Sequence, residues 1–193
     1  MLSQLRDIVE HVSKVEDVHA ALEILVQQTC AAMHTECCTI YLANNDKQRL
    51  ELMATQGLTF KGDTIHIDFN EGLVGLVKRT AEPINLAEAA KHPAFKFFPE
   101  LGEDIYHSFL GTPIIHRKQV LGVLVIQQKT SRQFSEMEES FLVTLAAQIA
   151  VLIAHATAQG HGFFDDNKTA VIKGIGASSG VAIGPIWWDK HST

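Results

Sequence analysis

The sequence predicts a mixed α/β (α+β) domain. One antiparallel sheet carries helices on one face and a short helix plus a lid, covering a pocket, on the other. Three observations predict it. Apolar side chains alternate at Cys38, Ile40 and Leu42, at Leu50, Leu52 and Ala54, and at Ile65, Ile67 and Phe69, the period of half-buried strands. The run VLGVLVI (120–126) is apolar at nearly every position, as a strand covered on both faces must be. Apolar stripes at helical spacing lie at both ends of the chain, and a layered sheet buries all of these surfaces at once.

The elements follow in order. Leu2, Leu5, Ile8, Val9 and Val12 form the stripe of a first helix over 2–13. Val18, Leu22, Leu25, Val26, Thr29 and Met33 repeat it over 17–33, capped by Asp17 or by Ser13 with Glu16 in a capping box. Asn44-Asn45-Asp46 turns the first two strands into a hairpin that ends at Gly57. A third strand covers 65–69. Asn70 is then the expected N-cap of a short helix over 71–80, with Leu73, Val74 and Val77 inward and Pro83 barring extension. Residues 86–107 are irregular and aromatic, with Phe95, Phe97, Phe98 and Tyr106; a loop this long within a domain is usually functional, and it is read as a folded lid. Strands over 108–116 and 120–128 are joined by Arg117-Lys118-Gln119, and the second is placed centrally. Ser135 with Glu138 caps a long helix over 136–158. Its stripe is Phe141, Leu145, Ile149, Leu152 and Ile153, and Ala146, Ala147, Ala150 and Ala154 make a second, small face.

Composition narrows the function classes. The chain has 193 residues, 46% hydrophobic and 20% charged, the balance of a soluble globular protein. Net charge is −6 and basic residues do not cluster, which argues against nucleic acid and anionic membrane as partners. No apolar run reaches bilayer length, and the amphipathic start MLSQLRDIVEHV is not a signal peptide. Three cysteines, two of them adjacent, read as reduced thiols of a cytoplasmic protein.

After the long helix the pattern dissolves at GHGFFDDN (160–167), a linker composition. The run KGIGASSGVAIGP (173–185) then sets glycines among Val181, Ile183 and Ile186, which suits a strand and turn that approach another backbone closely. Too few residues follow Pro185 to build a core, so the chain is expected to be a piece of a larger protein.

Four segments, in this order and at these spacings, resemble the GAF domain, a PAS-like sensory fold, over roughly residues 15–156. They are EGLVGLV (71–77), Ser108-Phe109-Leu110 followed by Pro113-Ile114, VLGVLVI, and Phe134-Ser135 before LVTLAAQIA (142–150). In the tail, Gly174, Ala177, Ser178, Gly180, Ala182 and Gly184 resemble the opening of the phosphoenolpyruvate-binding N-terminal part of enzyme I of the phosphotransferase system. Ser179 stands where proline is common. A GAF domain placed before such a segment resembles the nitrogen-related enzyme I family. The resemblance divides the chain into a sensory domain at 1–158, a linker at 159–169 and the truncated start of the phosphohistidine domain at 170–193.

That resemblance implies a parent enzyme that moves phosphate from phosphoenolpyruvate, through its own histidine and with Mg2+, to a small phosphocarrier protein. It implies that the GAF part tunes autophosphorylation in response to a nitrogen-related metabolite, with glutamine as the implied ligand. None of the ten histidines stands in the family's G-G-x-[ST]-S-H-x-A-I context, and His107-Ser108 has the pair reversed. The chain itself is therefore expected to hold no catalytic residue and no cofactor.

The candidate ligand site lies between sheet, short helix and lid. Tyr41 offers a hydroxyl from the hairpin, and Ser108 and Thr112, of equal parity, face one side together. The helix start at Asn70, Gly72 and Leu73 offers free amides to a carboxylate. His92 and His107 flank the lid, and Arg79 could pair with a carboxylate if turned inward. Gly72 and Gly75 let the short helix sit close over the sheet, and Pro113 and Gly122 mark where strands bend or touch.

Other readings compete. Cys30, His34, Cys37 and Cys38 have a zinc-like composition, but adjacent strand cysteines face opposite sides, which favours core roles. A thiol-dependent free methionine sulfoxide reductase would need cysteines in the lid, and 86–107 holds none. The amphipathic helices at 2–12 and 136–158 are expected to pair two copies into a homodimer whose bundle passes on a shift at the pocket; a ligand-free dimerisation module would instead fill the pocket with Phe95, Phe97 or Phe98.

Overall fold

The computed structural model describes residues 1–59, 65–102 and 105–164. The readings made for 103–104, within the lid, and for 165–193, including the phosphohistidine-domain start, lie outside the described residues.

Helix α1 runs Leu2–Ser13 and α2 Val18–Met33. Of the two caps considered for α2, Asp17 serves: its carboxylate accepts the His19 amide at 3.2 Å. Ser13 instead donates back to the Glu10 carbonyl. The helix stops at His34, which takes the left-handed conformation (φ 53°). Strands β1 (Cys37–Asn44) and β2 (Arg49–Gln56) form the predicted hairpin, and β3 (His66–Asp68) adds to β2. Helix α3 is Gly72–Thr80. Strands β5 (Ser108–His116) and β6 (Gln119–Gln128) turn through Arg117 and Lys118, both at positive φ, and α4 spans Glu136–Ala158.

One strand escaped the sequence reading. Ile84–Leu86 forms β4, a three-residue edge strand paired with β5. The sheet therefore has six strands in the order β3-β2-β1-β6-β5-β4, all antiparallel, with β1 and β6 at its centre as the apolar run required. What holds so short a strand is Asn85. Its amide donates to the Phe134 carbonyl at 2.8 Å, and its carbonyl accepts the Phe134 amide at 3.1 Å. The clip ties the sheet edge to the turn that starts α4. Gly122 lies against Leu42 of β1, where a Cβ would run into the Tyr41 carbonyl. It also pairs with Ile114, beside a register shift at Ile114/Ile115, so the bend expected around Pro113 and Gly122 falls there.

Two cores result. Ile40, Leu42, Leu110, Ile114, Leu124 and Ile126 meet α1, α2 and α4 on one face. Tyr41, Ile67, Phe109, Val123 and Val125 meet α3 and the lid on the other. On α4 the stripe Phe141, Leu145, Ile149 and Ile153 is buried with Ala146 and Ala150. The small face does not stay together, because Ala147 is exposed. Met137, Val143 and Val151 also point outward. Helix α4 is, among the described residues, the one helix long and apolar enough by length and composition to cross a membrane, which the uninterrupted-run criterion missed. Its buried stripe is core of this domain.

The start of α4 carries the reciprocal capping box between Ser135 and Glu138. Arg132 adds a fork, donating to the two Glu138 oxygens at 2.9 and 2.8 Å. These bonds, Arg132 first, take the Glu138 carboxyl from its usual 4.5 down to about 2. A depressed folded-state value stabilises the fold above the unfolded value, and this is lost as pH falls toward the folded one. Stability should therefore decline between about pH 4.5 and pH 2 through Glu138. Glu138→Gln should lower stability at pH 7 by about 1–3 kcal/mol and flatten that acid limb, read by urea unfolding across the window.

Candidate functional site

The site is built on the lid face of the central strands. Odd-numbered positions of β1 and β6 place Tyr41, Val123, Val125 and Gln127 there, and Phe109 adds from β5. Ile67 of β3 closes one side. Leu73 and Val74 of α3, with Ala89, Phe95, Lys96 and Phe98 of the lid, form the roof. A hollow lies where it was expected, but its volume is only about 20 Å³. That holds about one water, whereas small-molecule sites run to hundreds of cubic ångströms. The lid fills the rest. Phe98 is buried, and its ring sits 3.1 Å from where a Cβ of Gly72 (φ 64°) would stand.

The lid is anchored at both ends. Lys96 Nζ bonds Glu71 Oε1 at 2.6 Å, and the Tyr106 hydroxyl donates to the Gly57 carbonyl at 2.7 Å. Burial pushes the Tyr106 phenol well above its ordinary value, so it stays a donor. At the base of the lid, His107 Nδ1 lies 3.2 Å from Glu88 Oε2. Behind Gln127 runs a polar strip: the Cys37 thiol donates to Gln127 Oε1 at 3.6 Å, and the Thr39 and Thr55 hydroxyls bond at 2.8 Å.

The proposed site residues divide. Tyr41 and Leu73 line the hollow, and Gly72 is the notch that receives Phe98. Asn70 is exposed and does not cap α3. Glu71 takes that position, with its carboxylate turned to Lys96 and no side-chain cap bond. Ser108 and Thr112 share a face, as expected, but it is the helix-side face. Thr112 pairs with Leu124 of that core, and Ser108 donates to the Thr130 carbonyl at 2.7 Å. The parity that joins them also joins them to Leu110 and Ile114, which was the available signal. His92 accepts the Ala94 amide at 3.0 Å and closes a turn, and His107 is mostly exposed. Arg79 is exposed and does not line the hollow; its guanidinium donates to the Phe69 carbonyl at 2.6 Å. Lys96 and Gln127 were missed. The signals were a lone cation among Phe95, Phe97 and Phe98, and a polar residue closing an apolar strand.

The metal and thiol readings meet the same geometry. Cys38 enters the helix-side core and Cys37 the lid-side core. Among the described residues no group of three or more His, Cys, Asp or Glu is placed to hold a metal. Burial pushes the Cys30 thiol up to about 12 and the Cys38 thiol well above its ordinary value.

Residues 17–153 match the GAF domain family. The chain is 49% identical over 190 residues to a protein of Salmonella typhimurium and to one of Escherichia coli, each named phosphoenolpyruvate-dependent phosphotransferase system. The match covers 98% of this chain and 25% of each relative, so the chain spans about a quarter of their length. Among solved structures, it is similar to the GAF domain of a phosphoenolpyruvate-protein phosphotransferase from Coxiella burnetii. That likeness has 46% identity and a TM-score of 0.78, over 82% of this chain and 95% of that one. The corresponding Acinetobacter domain is 43% identical with a TM-score of 0.73, over 82% and 96%. The free methionine-R-sulfoxide reductase of Neisseria meningitidis shares the fold, at 20% identity and a TM-score of 0.71, over 81% and 89%.

The buried thiols set an expectation. In native protein at pH 8, Cys30 should react with iodoacetamide on the order of a thousandfold more slowly than after unfolding in guanidinium, read by mass of the labelled peptides. Rapid native labelling of Cys30 would contradict the burial described.

Proposed function

The chain belongs to the GAF domain family, and on that premise we propose that it is the regulatory, small-molecule-sensing part of a phosphoenolpyruvate-protein phosphotransferase. The observation that carries the reading is the 49% identity sustained over 190 residues. It continues past the matched GAF residues into the segment whose glycines resemble the phosphohistidine-domain opening. The parent protein would draw phosphate from phosphoenolpyruvate and pass it to a phosphocarrier protein in the cytoplasm. Mg2+ would serve that phosphotransfer, outside this domain. The ligand would be a nitrogen-related metabolite, with glutamine the first candidate.

The site supports sensing by a mechanism in which the lid moves. A hollow of about 20 Å³ cannot take glutamine, so binding requires Phe98 to leave its place. A ligand shifts that equilibrium only by its preference for the open form. The floor strands β1 and β6 are also the floor of the helix-side core, so a displacement beneath the lid reaches α2 and α4 through one strand thickness.

A second reading is favoured by two observations. Phe95 and Phe98 already fill the pocket, as a ligand-free dimerisation module would have it, while Phe97 is half exposed and fills nothing. Leu2, Met137 and Val151 are 84%, 67% and 57% exposed, an apolar surface shared by α1 and α4 that a second copy would cover. Apolar hollows of about 280 and 600 Å³ line the same helices.

Two measurements separate these readings. The whole parent protein should change its rate of labelling by phosphoenolpyruvate when glutamine is added, and deletion of residues 1–158 should abolish that response while labelling persists. An unresponsive whole protein would favour the structural module. By sedimentation, Val151→Glu should shift a dimer to monomer, with association weakened at least about tenfold by burying a charge.

A further inference from the structure

Among the described residues Lys96 is the one charged residue that lines the lid-side hollow, and its amine is paired with a carboxylate of the same chain. Resting on the sensing reading above, we propose that Lys96 is the anion-recognising residue of this site, and that Glu71 and Phe98 hold the ligand's place when it is absent. Glu71 stands for the ligand's carboxylate and Phe98 for its apolar portion. The ligand class is therefore a small carboxylate with an adjoining apolar segment.

The geometry has three parts. Lys96 Nζ and Glu71 Oε1 are 2.6 Å apart, yet the two side chains are 49% and 34% exposed. A pair so open to water is weakly held, and a competing carboxylate exchanges with it at little cost. The amine also lies 5.2 Å from the Phe98 ring centre, so one cation contacts both the stand-in anion and the plug. Glu71 holds the N-cap position of α3 without a side-chain bond to any amide, so its carboxylate is committed to the lid and not to the helix. Finally, Gly72 (φ 64°) leaves open the slot against which Phe98 rests. When Lys96 changes partner, Phe98 and the following turn at Pro99–Leu101 move with it, because they are contiguous in the chain.

The device makes apparent affinity depend on the closed lid. Apparent affinity is the intrinsic affinity multiplied by the fraction of molecules in which the lid is open, so loosening the internal pair raises it. The competitor is an exposed ion pair, so the recovery is modest, up to about fivefold. Loss of the cation itself removes the recognition and costs more, about tenfold or beyond.

The test uses the full 193-residue chain, with L-glutamine, 2-oxoglutarate and L-glutaminamide, which lacks the carboxylate, as probes. Glu71→Gln should speed amide hydrogen exchange over residues 95–101 without ligand and tighten L-glutamine binding by up to about fivefold in calorimetry. Lys96→Met should speed the same exchange, weaken L-glutamine about tenfold, and bind L-glutamine and L-glutaminamide alike. Unchanged L-glutamine binding in Lys96→Met overturns the assignment and leaves the sensing reading standing. Unchanged exchange and affinity in Glu71→Gln overturns the internal stand-in. No binding of L-glutamine or 2-oxoglutarate by either wild type or Glu71→Gln overturns the proposal and the sensing reading together.

Discussion

The structure depends on the alternation of side chains along the two central strands. Because β1 and β6 are covered on both faces, each residue enters one of two separate cores, and moving the register by one would exchange them. Cys38, Ile40 and Leu42 anchor the helices; Cys37, Thr39 and Tyr41 anchor the lid. The two are linked at Gly122, where a side chain would collide with the Tyr41 carbonyl and push β6 from β1. A site on one face and helices on the other thus share a common wall, and neither core can be repacked without displacing the other.

Magnitudes decide what keeps the lid shut. Burying side chains such as Phe98 and Leu101 contributes about 1.5–3 kcal/mol each, against about 0–1 kcal/mol for a half-exposed ion pair. The apolar contacts therefore supply most of what holds the lid, and the ion pair adds a smaller part. A ligand that opens this site must bring apolar surface of its own, or leave Phe98 and Leu101 in water. On the proposed sensing reading affinity and recognition separate: the apolar wall would supply most of the first, and the polar groups at the hollow, Lys96 and Gln127 among them, the second.

Much of the fold was legible because strong periodicities met clear stop signals. The box Ser135/Glu138 starts α4, and Asp17 starts α2. β4 was not legible, since three residues carry no period; it exists because Asn85 binds Phe134, a contact 49 residues away in sequence. The site was legible in place and not in detail. Tyr41 was placed from its position in the hairpin, opposite in parity to Cys38, Ile40 and Leu42, and it does line the hollow. Ser108 and Thr112 were grouped correctly but given the wrong face, because equal parity says two residues agree and not which way they point. Asn70 looked like a cap by residue type, yet capping is settled by backbone position, and Glu71 holds it. Lys96 lies in a segment without period, where only tertiary contacts assign a role.

The shared wall also restricts how a signal could leave the lid. Val123 and Val125 face the lid while Leu124 and Ile126 face the helices, so a lid-side displacement of β6 moves the floor under α4 and α2 directly. A packed core answers such a push by choosing between discrete arrangements and not by bending in proportion. Room for a second arrangement would lie on the outer side, where α1 and α4 leave hollows and, among the described residues, Met137, Val143 and Val151 are exposed. The inner stripe from Phe141 to Ile153 is too tightly buried to slide alone. The helix must then move as a unit with its cap, and Arg132, Glu138 and Asn85 tie that cap to the sheet edge beside the lid. On the proposed reading, a shift passed from β6 to α4 would have to carry the start of α4 with it, where the sheet edge, the loop and the helix are joined by side chains and not by backbone alone.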